Sequence, residues 1–362
     1  MSNDELLSKT ITFLRFPMIV LVVFIHTNLG GVILNGASMV NISELPIYRA
    51  VHHFVTEELA DTAVPMFFFF SGFLFFYKSE FNKKIYLNKL GKRLKTLLIP
   101  YIFWNLLVLA LTFIHQSLSP AHLPGPGMLI ADFNLTDWLT VFWTYGDTNM
   151  PICYQFWFIR DLMVVILFSP IIYYFIRYCK CVGLIAFSAI WIFDIWFDIQ
   201  GFGSVPFYFF YIGAYFSIRK INFATAFYKI RHYSIMLYIG LLALDSLLQY
   251  HEHSLIYVHN TAIILGSISI IAWTSALLHK KTPSICPTVL TGTFFVYACH
   301  GILVMALIKS YVKILYPLND LTATLGYFTI PAFVVCITIG VYSIMSKYFP
   351  KFTAIITGGR SI

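Results

Sequence analysis

The sequence predicts an all-α, polytopic integral membrane protein with about ten transmembrane helices, and three observations lead to that fold class. Hydrophobic residues make up 59% of the chain and charged residues only 11%, with a mean hydropathy of +0.78, which a soluble domain of 362 residues does not show. Apolar runs long enough to cross a bilayer, which takes about 20 residues at helical rise, recur along the whole length. The period-two alternation of half-buried strands is absent.

The spans are expected at 11–30, 62–77, 96–116, 155–176, 182–199, 205–218, 233–250, 256–278, 288–308 and 323–345. The first carries Arg15 and His26, and it does not read as a cleaved leader, because Asp4 and Glu5 precede it and no small-residue cleavage site follows. The second is a run of aromatics around Ser71 and Gly72, and the third follows Lys95 through Pro100, Tyr101 and Trp104. The fourth opens on Phe156-Trp157-Phe158-Ile159-Arg160-Asp161-Leu162. The fifth and seventh carry Asp194 and Asp245 near one end, and the sixth, 205–218, is the shortest. The eighth starts beside His259, and the ninth holds Tyr297 and His300. No repeat or linker divides the chain, so residues 1–362 are expected to form one integral-membrane domain.

Loop charge sets the expected orientation, since cytoplasmic loops retain Lys and Arg. Lys78, Lys83, Lys84, Lys89, Lys92, Arg93 and Lys95 lie between the second and third spans, and later turns carry Arg177/Lys180, Arg219/Lys220/Lys229/Arg231 and Lys280/Lys281. The opposite loops are poor in base: 117–150 has none but contains Asp132, Asp137 and Asp147, while 31–61 sets Arg49 against Glu44, Glu57, Glu58 and Asp61. Both termini are therefore expected in the cytoplasm, with Lys309 and Lys313 as exceptions to the pattern. The formal charge of +8 is accounted for by this asymmetry and needs no nucleic-acid partner. The 117–150 loop, with turns at Ser-Pro, Leu-Pro-Gly-Pro-Gly and Asn-Met-Pro, is a candidate cap for an external cavity. The cysteines, Cys153, Cys179, Cys181, Cys286, Cys299 and Cys336, have no metal-ligand spacing and read as packing residues; no metal is expected.

Arg15 and His26 are the most informative pair. Eleven helical steps of about 100° bring them to nearly the same face, about 16 Å apart along the axis at about 1.5 Å per residue. An ionisable group inside a span is costly unless it faces protein or water, so the pair marks a pathway, although Arg15 alone would also suit snorkelling to the headgroups. Ser71 and Gly72 suit close helix approach better than nucleophilic chemistry. The basic loop next to Arg15 has the chemistry to bind phosphates, and topology alone also explains it. Arg160 and Asp161 are adjacent, do not face one another on a helix, and are expected to pair with other helices, either as structural glue or as part of a polar site with Trp157. His300 is a second intramembrane histidine, whereas Asp194, Asp198, Asp245, His115, His259 and His279 lie near span ends, where solvation accounts for them.

In this order the clusters resemble the acyltransferase-3 family of integral-membrane O-acyltransferases. The resemblance rests on Arg15 and His26 in the first helix, Phe69-Phe70-Ser71-Gly72-Phe73-Leu74, Lys92-Arg93 followed by Pro100-Tyr101, Trp157 to Leu162, and Tyr297 with His300. The first helix departs from the Asp-Gly-Leu-Arg start of some members, reading Thr12-Phe-Leu-Arg15. What the resemblance implies is transfer of an acyl group, usually acetyl from cytosolic acetyl-CoA or another acyl-CoA, to a hydroxyl of a carbohydrate or glycolipid at the outer face, as in polysaccharide O-acetylation. The protein would then be a multi-pass protein of the plasma (inner) membrane, with His26, Arg15 and His300 as catalytic residues. Arg15, Lys92 and Arg93 would bind the CoA phosphates, and Trp157, Arg160, Asp161 and Ser71 would form an acceptor or structural polar site. The alternative is a transporter or flippase of a polysaccharide or lipid intermediate, since polar groups inside many spans also suit translocation.

Overall fold

The computed structural model describes residues 2–34, 37–78, 80–118, 128–197, 199–250, 253, 255–281, 283 and 285–359. The described residues are helical apart from turns and one two-residue antiparallel pairing of Ile33–Leu34 with Ala37–Ser38. The helices are α1 (Asn3–Ile25), α2 (Pro46–His53), α3 (Ala63–Phe76), α4 (Lys83–Arg93), α5 (Ile99–Leu118), α6 (Leu135–Thr140), α7 (Trp157–Leu167) and α8 (Ser169–Ile192). They continue as α9 (Ser204–Ile218), α10 (Phe223–Lys229), α11 (Arg231–Tyr250), α12 (Ile256–Lys280), α13 (Pro287–Leu315), α14 (Asp320–Tyr348) and α15 (Pro350–Ile356).

Seven helical runs among the described residues are long and apolar enough to cross a membrane: α1, Pro46–Phe76, Lys83–Leu118, α8, α12, α13 and α14. About ten spans were expected; helix boundaries account for two of the three that are absent, and the third, expected at 233–250, forms the 20-residue α11, which is not among the seven. The expected fourth span breaks at Phe168, ahead of Ser169-Pro170, where Pro170 lacks a backbone donor and favours a new first turn, so α7 is only 11 residues long. The rest of that span and the expected fifth run together as α8, interrupted at Lys180 by a non-helical backbone (φ 48°, ψ −128°). The sixth, α9, has 15 residues and is buried on nearly every side, so its apolarity serves the protein core.

α1 lies among α3, α10, α12, α13 and α14. Its start is fixed by Ser2, whose side chain accepts the Glu5 N–H at 3.1 Å, and by Asp4 and Glu5 in the first turn, where negative charge suits the helix dipole. It ends at His26, earlier than the expected residue 30, because Asn28 turns back to accept the Gly30 N–H at 2.9 Å and starts a short 3₁₀ turn. The Pro46–Phe76 run is continuous, but it passes through a π-helical turn at Phe54–Leu59 and a 3₁₀ turn at Ala60–Thr62. A second π turn, Leu94–Leu98, follows Arg93.

Among the described residues the most extensive helix–helix contact is that of α3 with α9, and two glycines make it possible. A Cβ on Gly72 would collide with the Phe210 carbonyl, and one on Gly213 with the Phe69 carbonyl. The two backbones therefore touch reciprocally, as expected of small residues at a helix interface. Aromatic side chains fill the space around the crossing, with Phe69, Phe70 and Phe73 all packing on Phe223.

Candidate active site

A cavity of about 780 Å³ opens within the bundle, lined by residues of α1, α3, α7, α13 and their neighbours. From α1 it takes Arg15, Ile19, Val22, Ile25 and His26, the stripe that a helical period of 3.6 places on one face. Arg15 and His26 therefore share one wall, as their spacing predicts. Arg93 joins Arg15 on the cavity, and Arg15 also reaches a smaller pocket of about 100 Å³ shared with Asp4 and Tyr77 near the start of α1. Lys92 is exposed and does not line the cavity, since its helical neighbour Arg93 is turned by about 100° from it. Of the Lys92/Arg93 pair, only Arg93 is placed to reach a ligand there.

His26 caps α1 and is half-buried; its ring lies edge-on to Tyr154 with centroids 5.0 Å apart. Outside the long apolar helices, burial beside Cys153 pushes the Tyr154 phenol above its ordinary range, so the group stays a neutral hydrogen-bond donor. The imidazole of His300 lies 5.1 Å from that of His26. His300 is fully buried and absent from the cavity wall. Its Nδ1 lies 2.6 Å from the Tyr297 carbonyl, which can only accept, so Nδ1 carries the proton and Nε2 presents a lone pair. Nε2 has no hydrogen-bond partner among the described residues.

Gln155, which the sequence did not single out, lines the cavity and ties it to α13: its side-chain amide donates to the Ala298 carbonyl at 3.0 Å, and its backbone carbonyl accepts from the Tyr297 hydroxyl at 2.7 Å. Gly301 belongs to the same junction, because a Cβ there would meet the Gln155 Oε1 at 2.7 Å and the Tyr154 hydroxyl at 3.0 Å. Ser71 and Trp157 also line the cavity.

Arg160 and Asp161 do not. They pair with each other, Nε to Oδ1 at 2.8 Å, both almost fully buried, instead of pairing with other helices. The expectation failed because Arg160 sits in the first turn of α7, where its long side chain folds outward past the helix end. There Nη1 donates to the carbonyls of Trp143 and Asn149 at 2.5 and 3.0 Å, and the guanidinium lies over the Trp143 ring. The pair therefore clamps the 141–150 segment. Tyr101 of the basic-proline motif is likewise structural, with its hydroxyl on the Phe142 carbonyl, and Trp104 donates to the Ile356 carbonyl at 3.0 Å.

No residue of 128–150 lines the cavity, so this part of the expected cap stands apart from it on a small core of Leu109, Ile130, Val141 and Ile152. The Ser-Pro and Leu-Pro-Gly-Pro-Gly turns lie outside the described residues. A second polar group was passed over in the sequence. Asp61 lines the cavity 3.5 Å from His259, and His259 reaches Asp245 at 2.9 Å.

No curated protein and no solved structure was found to match the chain. The family profile described as an acyltransferase domain matches residues 9–345, which span α1 to α14 and every residue of the cavity wall. On that match the chain belongs to the acyltransferase-3 family of membrane acyltransferases.

Proposed function

We propose that the protein moves an acyl group, acetyl first among candidates, from cytosolic acyl-CoA to a hydroxyl of a carbohydrate or glycolipid at the outer face of the plasma membrane, with both termini inside. The observation that carries the proposal is one cavity lined by two guanidiniums from different helices, Arg15 of α1 and Arg93 of α4, and by His26 further along α1. Guanidiniums form charge-assisted, geometrically specific bonds to phosphates, which suits the nucleotide end of CoA, and a neutral imidazole suits a general base. The acyl-pantetheine arm, being thin and uncharged, fits the stretch lined by Ile19 and Val22 between them.

In the proposed step, His26 accepts the proton of the acceptor hydroxyl as its oxygen attacks the thioester carbonyl. The C–S bond then breaks, the new C–O ester bond remains, and the proton passes to the CoA thiolate. Tyr154 packs edge-on against the His26 ring and does not itself line the cavity, so it serves to orient the imidazole. His300 acts through His26 as a positioning residue, packed behind it and away from the cavity. The transfer itself asks for no metal.

The test is turnover by purified protein: release of free CoA from acetyl-CoA that depends on an added glycan, with acyl-glycan found by mass spectrometry. Transport of a labelled glycan intermediate into sealed vesicles, with no CoA released, would favour the flippase alternative.

A further inference from the structure

We propose that Glu58, Asp245 and His259 form a binding site for one divalent cation of the zinc or manganese type, set beside the wall of the cavity. Three separate elements deliver the ligands. Glu58 comes from the π turn in the Pro46–Phe76 run, Asp245 from α11, and His259 from the first turn of α12, with one donor atom of each lying within 4.8 Å of the others. Metal–ligand bonds of about 2.0–2.2 Å bring such atoms to a little over about 3 Å apart, so modest side-chain rotation closes the set around an ion.

Two buried oxygens point to a missing positive partner. Glu58 is 3% exposed and Asp245 fully buried, yet Glu58 Oε2 and Asp245 Oδ1 have no hydrogen-bond partner among the described residues. With Asp61 the group comprises three carboxylates around one imidazole, and among the described residues no Lys or Arg forms an ion pair with any of them. Burying the Glu58 and Asp245 carboxylates beside a single imidazole is costly, and a divalent ion offsets it directly while giving both orphaned oxygens a partner.

The surroundings match what metal ligands need. A ligating histidine usually gives its other ring N–H to a carboxylate; with Nδ1 towards Asp245, Nε2 faces Asp61 at 3.5 Å. Ser246 donates to Glu58 Oε1 at 3.3 Å, and the Tyr238 hydroxyl holds the Glu58 carbonyl at 2.9 Å. Mixed imidazole and carboxylate donors select zinc or manganese over calcium or magnesium, which favour oxygen alone. Through His259 the ion would fix Asp61, whose carboxylate lines the cavity, so the site shapes the wall without touching His26. Ligands separated this widely along the chain carry no motif spacing, which is why no metal was expected from the sequence.

The experiment uses full-length protein in detergent with its affinity tag removed, stripped with chelator and then equilibrated with buffered Zn²⁺ or Mn²⁺. Bound metal is counted by mass spectrometry, and thermal melting is followed in parallel. One equivalent of metal and a higher melting temperature are expected for the native chain, with both lost in Glu58→Gln, Asp245→Asn and His259→Gln. Asp61→Asn should weaken binding about 10- to 100-fold, as removal of a partner of a ligating histidine does, and Cys286→Ser should leave it unchanged. Native protein that neither retains an equivalent nor melts later with either metal overturns the proposal, as does equal retention by His259→Gln. Because the native measurement stands alone, poor folding of a variant does not rescue it, and none of these readouts depends on acyl transfer.

Discussion

His26 and His300 lie 5.1 Å apart with their rings tilted by 32°, yet only His26 borders the cavity. The Tyr297 carbonyl sets the tautomer of His300, which therefore offers a lone pair on the side away from that bond. On the proposed function, His26 would meet the substrate and His300 would pack behind it as a positioning residue. Their mutants should differ accordingly.

His26→Ala should cut glycan-dependent CoA release by about a hundred- to ten-thousand-fold, the usual worth of a general base, with little change in melting temperature, since a half-buried cap residue is lost. His300→Leu should lower kcat about tenfold to a hundredfold by misplacing His26, with the donor KM unchanged. His300→Gln, whose amide can still donate to Tyr297, should retain more activity than His300→Leu. A donor KM that rises with kcat intact would contradict the positioning role.

Arg15→Gln and Arg93→Gln should each weaken a non-hydrolysable acyl-CoA analogue by at least about tenfold, from charge-assisted bonds worth about 1.5–3 kcal/mol. Lys92→Gln should not, because Lys92 is exposed and off the cavity. Calorimetric titration at fixed ionic strength measures all three, and equal loss at Lys92 would mean that the donor sits elsewhere.

Gly72→Ala should destabilise by about 1–3 kcal/mol, since its methyl group runs into the Phe210 backbone and cannot be relieved by rotamer change. Gly240→Ala is the contrast: open space surrounds that helical glycine, and the substitution should be neutral or stabilising by up to about 1 kcal/mol. Thermal melting in one detergent compares them.

Arg160→Met should destabilise by about 3–5 kcal/mol, because it strands the buried Asp161 carboxylate. Adding Asp161→Leu should recover part of that loss. Limited proteolysis should cut the 141–150 segment faster in both, since Arg160 holds two of its carbonyls.

The sequence made some of this legible and hid the rest for physical reasons. Arg15 and His26 were found because helical periodicity is local, and eleven steps suffice to place both on one wall. Periodicity also separates Arg93 from Lys92, but only once the direction of the cavity is known, so a motif match named both. Arg160 and Asp161 were paired wrongly because the no-facing rule assumes a helix interior, whereas the pair stands at a helix start. Glu58, Asp245 and His259 were missed because tertiary packing alone assembles them, and two of them looked like ordinary solvated span ends. Span positions were mostly visible in hydropathy. Boundaries at Phe168 and Lys180 depend on backbone angles that hydropathy does not register.

A void of about 780 Å³ inside a membrane protein threatens the ion gradient that the membrane maintains. Along α1 the aliphatic side chains of Ile19, Val22 and Ile25 follow Arg15 before His26 is reached, so that wall presents an apolar stretch to water between the guanidinium and the imidazole. Apolar surfaces of this sort resist wetting by ions while admitting a slender organic chain. On the proposed function, the stripe that would let a donor arm pass would also hinder ions from following it.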